Sequence, residues 1–567
     1  MWQKIAAVLG ACAMVVSCTS MPHGALPAAS PAVTGETMHH DHGGGEGMVS
    51  MPLFNNLGTH SHKISTRNPK TQAYFDQGYR LLFNFNHAAA ISSFEMAAKL
   101  DHTCAMCWWG IAFAYGPNIN MPMLPDAQAP ALRALEMAVS LKQHASAAER
   151  AYIDALATRY SADAKAERPA LDKAFSEATQ ALARKYPKDL DAQVLSTEAL
   201  MDTSPWDYWQ SDHKTPKAGM EALVPGLESV LKRAPRHPGA IHLYIHAVEA
   251  SSTPGRAEKY SDTLAGLLPG AGHLVHMPSH IYNRIGRYQD GVTWNQKAAK
   301  ADENYFSATQ DRGMYAAMYY VHNLHFVWTA ATNDGRSALA REYAKKVVAH
   351  LDPNMLRQFP SVEIFVPTEW YAALRFGDWD FVLQAAAPDP ALHLSTAIWH
   401  YARARAYAEK GNIGKAVEEN DLIAKSFSAA DAKHFQDFGV PGEDLVRIAG
   451  HVARAEIARA KGDKPDAINE LKAAVTAQDN LSYTEPPYWD FPTRGFLGAA
   501  LLNAGQADEA VQVYRDDLKD WPRNGWSLFG LAQALEKTGH AKEAKVVANQ
   551  FRKTWSRSDV KLSESRF

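Results

Sequence analysis

Residues 496–544 read FLGAALLNAGQADEAVQVYRDDLKDWPRNGWSLFGLAQALEKTGHAKEA, and within them Gly505 and Gly539 stand 34 residues apart, as do Ala510 and Ala544. Each glycine is placed to end one helix, and each alanine lies inside the next. A glycine followed five positions later by a small residue recurs at Gly286/Gly291, Gly335/Ala340, Gly411/Ala416 and Gly462/Ala467. Between these marks the segments are alanine-rich, with apolar residues three and four apart, as in LDAQVLSTEALM and EKYSDTLAGLL. That is helix periodicity, and no stretch reads as a strand.

The pattern resembles the tetratricopeptide repeat, or TPR. In that repeat a small residue lets two antiparallel helices approach, a large residue four positions later fills the gap, and a proline closes the unit; Phe94, Leu471, Tyr514 and Pro522 suit those jobs. Gly78, Ala90, Phe94 and Ala97 mark the first repeat, so the likeness runs from about residue 71 to 554. The expected fold is an all-α, TPR-like superhelical solenoid of antiparallel helix pairs over residues 52–567, with first helices lining a concave groove and ends that fray on truncation.

Composition limits the function. The chain has 567 residues, 46% hydrophobic and 21% charged, with 58 Lys and Arg against 61 Asp and Glu, as in an ordinary folded protein. The near-neutral balance and the lack of a P-loop or zinc-finger spacing argue against nucleic acid as a partner. Histidine, 24 of 567, is in excess.

Taking the helix-ending glycine as repeat position 15, the TPR groove is lined by positions 2, 5 and 9, which share one helix face. Gly255 then places His242 at 2 and Glu249 at 9; Gly286 places His273, His276 and His280 at all three; Gly335 places His322 at 2 and His325 at 5. Six of nine groove slots are histidine, where roughly 0.4 would be expected at about 4% per site. His246 shares the face of His242 and Glu249. The preceding unit puts Asp191 and Glu198 at positions 2 and 9, with Asp202 a turn further.

Clustered imidazoles suppress one another's protonation, and neutral imidazole is the metal-binding form. His242, His246, Glu249, His273, His276, His280, His322 and His325 are therefore the expected metal set, for zinc or copper, with Glu198 and Asp202 at its border. A packed polar groove, or an acidic peptide held by the imidazoles, would use the same residues. Cys104 and Cys107 fall at groove positions 2 and 5, as a thiol or copper(I) site, a disulfide, or small groove-lining residues.

The N-terminus reads as an address. Lys4 and the apolar Ile5–Val16 run form a short export signal within residues 1–18, and Val15-Val16-Ser17-Cys18 resembles the lipobox of bacterial lipoproteins, which implies a lipid anchor on Cys18. Residues 19–51, rich in Pro, Gly, Ser, His and Met, have the composition of a flexible tether; Met38-His39-His40-Asp41-His42 within it suits weak metal capture. The body is expected outside the inner membrane, facing the periplasm, with Thr19 after the anchor leaning toward the outer membrane.

GTHSHKIST, FNFNHAAAISSFEMAAKLD, YGPNIN, PGAGHLVHMPSHIY, HNLHF and YTEPPYWDFPTR resemble the marks of a group of exported bacterial TPR proteins without established activity. That resemblance implies that His60, His62, His87 and Glu485 also approach the groove; Cys107 departs from its pattern. Three functions follow: a groove that binds a protein or peptide partner with a metal ion in the contact, a zinc or copper hydrolase or oxidase on a solenoid, and metal storage or delivery.

Overall fold

The computed structural model describes residues 51–163 and 165–567; the expected signal, the Cys18 anchor and all but the last residue of the tether lie outside them. The chain is an all-α, TPR-like stack of antiparallel helix pairs. Among the described residues the only extended pairings are two isolated bridges, Asn118 with Met121 and Trp209 with Pro216. No described helix is long and apolar enough to cross a membrane.

The repeat marks do what their chemistry dictates. Gly286, Gly335, Gly411, Gly462, Gly505 and Gly539 all have φ between 73° and 82°, the left-handed turn that ends a helix and that side chains resist. Many helices start on an Asn or Asp whose side chain accepts a backbone N–H, as Asn68, Asn86, Asp189 and Asp463 do. Phe94 is wedged between Gly78 and Gly110, where a Cβ on either would lie 2.7 Å from its ring. Tyr514 fills the same slot between Gly498 and Gly530, at 2.3 and 2.2 Å. The small residues thus exist to receive a large one.

Two apolar cores run through the stack, one from Met51 to Tyr319 and one from Tyr288 to Val547. They meet at the helix Tyr288–Thr309, where Phe306 packs against both, and at the turn Ala316–Tyr320, which gives Tyr319 to the first and Tyr320 to the second. Met51, expected as the end of the tether, is already 7% exposed in the first core.

The C-terminal region folds back on the middle of the chain. The Tyr288 hydroxyl donates to the Pro522 carbonyl at 3.0 Å, and Trp526 Nε1 donates to the Thr332 carbonyl at 3.0 Å. The Asp559 carboxylate accepts from Ser337 N and Ala338 N, capping the helix Ser337–Ala349. Arg566 donates to Glu456 at 2.5 Å and also pairs with Glu409. The superhelix closes on itself rather than ending free.

Candidate metal centre

Three local departures from regular helix build the centre. The segment expected as one helix through His273, His276 and His280 is split into Gly272–His276 and Pro278–Arg284, because Pro278 offers no N–H to continue the first ladder. A single π-helical turn, Ala316–Tyr320, leads into Val321–Asn333 and aims His322 inward; such turns recur at functional sites. Phe85 and Trp206 hold left-handed φ values of 52° and 64°, a strain of order 1–3 kcal/mol each, and both rings press on the histidines.

The result is two histidine trios. In the first, His242 Nε2 lies 3.1 Å from both His246 Nε2 and His273 Nε2. Phe85 packs 4.5 Å from His242, Trp206 5.0 Å from His246 and Tyr319 4.7 Å from His273, ring to ring. In the second, His276 Nε2 is 2.8 Å from His280 Nε2, and His322 lies against both, with Phe326 in ring contact with all three, edge-on to His276 and His322 and tilted to His280. Within each trio the nitrogens lie within 4.8 Å of one another. The trios are neighbours: the His246 and His280 rings are 5.5 Å apart, and those of His273 and His276 5.7 Å. Five of the six histidines are 0–2% exposed; His322 is only partly buried.

Glu249 ties the trios together. Its Oε1 accepts from His246 Nδ1 at 2.7 Å and its Oε2 from His280 Nδ1 at 2.6 Å. Burial opposes its charge, but His280 and His246 outweigh that and hold its carboxyl down at about 2. It therefore orients the histidines from behind instead of serving as one more ligand in a comb with His242 and His246. Asn295 does the same for His276, accepting from Nδ1 at 2.6 Å while its own Nδ2 donates to the Gly291 carbonyl. Burial, helped by neighbouring imidazoles, lowers His242, His273, His276 and His322 well below the ordinary 6.5, which keeps them neutral.

Other expected members fall elsewhere. His325 faces away, between Trp328 and Phe365, each 5.0 Å from its ring, and burial pushes it down to about 3. It belongs to neither trio because the 100° step per residue leaves His322 and His325 on diverging edges of one helix face. Cys104 and Cys107 form a disulfide, 1% and 0% exposed, which removes the thiolates a copper(I) site needs. His87 meets Asn118 at 3.2 Å, outside both trios. Glu198, half-buried, and Asp202, buried, lie apart from the trios beside Arg159, whose Nη2 donates to Asp202 at 2.6 Å; desolvation pushes Glu198 up to about 7. Glu485 does approach: the Tyr483 hydroxyl lies 2.9 Å from Glu485 and 3.2 Å from Glu249.

His60 and His62 join a different cluster, around Asp191. Asp191 accepts from His60 Nε2 and His237 Nε2 at 3.0 Å each and from His62 Nδ1 at 2.7 Å. His237 Nδ1 accepts the Ala240 N–H, capping the helix Pro238–Glu249, so its proton is on Nε2 and it has no lone pair there for a metal. The cluster is a satisfied clasp that holds the strap of residues 51–68 across the first repeats. Sequence reasoning missed His237, Asn295, Tyr483, Phe85 and Trp206; of these Tyr483 and Phe85 carried a signal, each two residues before a named site residue, Glu485 in YTEPPYWDFPTR and His87 in FNFNHAAAISSFEMAAKLD.

No family model matches the chain, and no curated protein matches it significantly. Among solved structures it is similar to a human IFIT1 dimer with PPP-AAAA, at 13% identity over 84% of this chain and 88% of that one with a TM-score of 0.31. Yeast Tom70 is similar at 13% identity over 85% and 97%, with a TM-score of 0.29. Likenesses this distant say nothing of partner or activity; the helical repeat stands on the chain's own packing.

Proposed function

We propose that each histidine trio binds one metal ion, copper or zinc, and that the chain is an exported lipoprotein, anchored through Cys18, whose paired ions act on a small molecule. The observation that carries this is the 2.8 Å contact between His276 Nε2 and His280 Nε2. Both Nδ1 atoms are committed as donors, to Asn295 and Glu249, so the network assigns a lone pair to each facing nitrogen. Two lone pairs meet at that distance only around a cation. A proton would satisfy one pair, whereas a metal ion with bonds of 2.0–2.1 Å satisfies three nitrogens roughly 3.3 Å apart. The first trio repeats the problem: one proton closes only one of the two contacts at His242 Nε2, and the Nδ1 atom of His273 has no hydrogen-bond partner.

The donor sets are imidazoles inside an aromatic shell, with the carboxylate one step removed. Imidazole suits copper and zinc, and an apolar shell tunes a redox ion, so oxidation is favoured over hydrolysis. Bound ions would supply electron transfer or an activated oxygen ligand. A protein or peptide partner is left to the outer faces of the repeats, because five of the six histidines are out of a peptide's reach.

The test is elemental analysis of the purified full chain beside a H242A/H276A/H322A variant. Two ions per chain above the variant's content are expected. Equal, trace metal in both, with unchanged stability, would sink the reading.

A further inference from the structure

Residues 558–567 form no helix and lie across Gly442–Lys461, Thr493–Asn503 and Gly525–Lys537, three helices that carry no trio histidine. The contacts are those of a bound peptide. Gln533 Nε2 donates to the Ser563 carbonyl at 3.2 Å, and Asn503 Nδ2 to the Glu564 carboxylate at 3.3 Å. The Ser565 hydroxyl donates to the Gly495 carbonyl and accepts from the Tyr514 hydroxyl, both at 2.7 Å. Arg566 reaches two carboxylates, Glu456 and Glu409. The Phe567 ring lies 5.6 Å from that of Trp526 and against Gly377, where a Cβ would stand 3.3 Å from it. Ser565 and Arg566 are buried while Lys561 and Ser563 are exposed, so selectivity rests on the Ser-Arg-Phe run.

The receiving surface is built without this segment. Tyr514 is fixed between Gly498 and Gly530, and Arg459 already pairs with both Glu456 and Glu409. The apolar core of these repeats includes no residue after Phe551. Hydrogen bonds, one guanidinium and one ring hold the segment, so it can leave while its host stays folded. With Arg566 gone, Glu456 and Glu409 share Arg459 as their remaining ion-pair partner, which favours a replacement that brings a guanidinium of its own. The Tyr514 hydroxyl and the Gly495 carbonyl select a hydroxyl between them, and Trp526 selects a ring.

We propose that this surface docks an extended segment of a partner protein with serine, arginine and an aromatic residue in succession, and that residues 563–567 occupy it until such a segment displaces them. The docking is independent of metal in the trios.

The probe is a fluorescein-labelled peptide LSESRF, the sequence of residues 562–567, with LSESAF as control. The tethered copy competes at an effective concentration on the order of 1 mM. The parent should therefore bind LSESRF weakly and the full-chain R566A variant at least tenfold more tightly, with LSESAF at least tenfold weaker on that variant. Bound LSESRF should also recover the urea stability that R566A loses. A second variant, S565C, keeps the arginine and decides the matter should R566A fail to fold. Millimolar LSESRF should speed thiol labelling at this buried position tenfold or more over the parent's background, with unchanged helicity. No binding of LSESRF to folded R566A, equal binding of the two peptides, or S565C labelling that LSESRF leaves unchanged overturns the docking site and makes the segment a fixed part of the repeats.

Discussion

His276 Nε2 faces His280 Nε2 across 2.8 Å while each ring's other nitrogen donates to a fixed acceptor. Proton and metal compete for that gap, and burial puts His276 on the metal's side by lowering its proton affinity well below the ordinary 6.5. Bound metal should therefore be retained at pH 6, where ordinary histidines are largely protonated, and leave only as pH falls through the depressed native values. Metal content after dialysis at stepped pH measures this; complete loss at pH 6 to 6.5 would contradict it.

Glu249 is the shared support, so E249Q should damage both trios together. A carboxamide has one oxygen where the carboxylate has two, and its NH2 cannot accept from the second histidine. Affinity should fall by about 10- to 100-fold, the usual cost of losing an orienting partner. Competition with a chromophoric chelator reads it, and an unchanged affinity would show that the rings are held by packing alone.

D191A should release the N-terminal strap, since three imidazole N–H groups lose their acceptor. The cost is about 3 kcal/mol, seen as faster tryptic cleavage after exposed Lys63. The pH dependence has two limbs. Burial resists the charge of Asp191, but His237, His60 and His62 hold its native value well below 3.8; its contribution is present above 3.8 and lost as pH falls toward that depressed value. Burial lowers His62 but Asp191 raises it more, so its contribution is full below 6.5 and lost as pH climbs past its raised native value. Protection of Lys63 should be greatest between those limits.

R566A should leave Glu456, 1% exposed, with Arg459 as its remaining ion-pair partner and Arg405 as a further positive charge nearby. A loss of about 3–5 kcal/mol in urea unfolding is expected. The variant should also be acid-sensitive: burial opposes the Glu456 charge, Arg566 and Arg459 hold it at about 2, and that stabilisation fades as pH drops below 4.5. F94A, which empties the slot between Gly78 and Gly110, should cost about 3–5 kcal/mol.

The repeat was legible because its rules are local: a left-handed glycine, an alanine and a wedge such as Tyr514 are fixed by spacing alone. Five histidines at the groove positions, and His246 beside them, were legible for the same reason, whereas His325 fell outside the site. Their grouping was not, since His273 joins His242 of the helix Pro238–Glu249 while His276, three residues on, joins His280 and His322. Pro278 and the π turn at Ala316–Tyr320 set that division, and repeat numbering assumes an unbroken helix. Tyr483 reaches Glu249 across 234 residues, a closeness that only the closed superhelix creates.

The bond from Trp526 to Thr332 makes the stack a hoop instead of a ladder. In a ladder the last rung can open alone, and protection against hydrogen exchange declines toward the end. In a hoop, freeing Gly525–Lys537 also breaks the bond from Trp526 to Thr332, so amides of Gly525–Lys537 should exchange more slowly than those of a free end would.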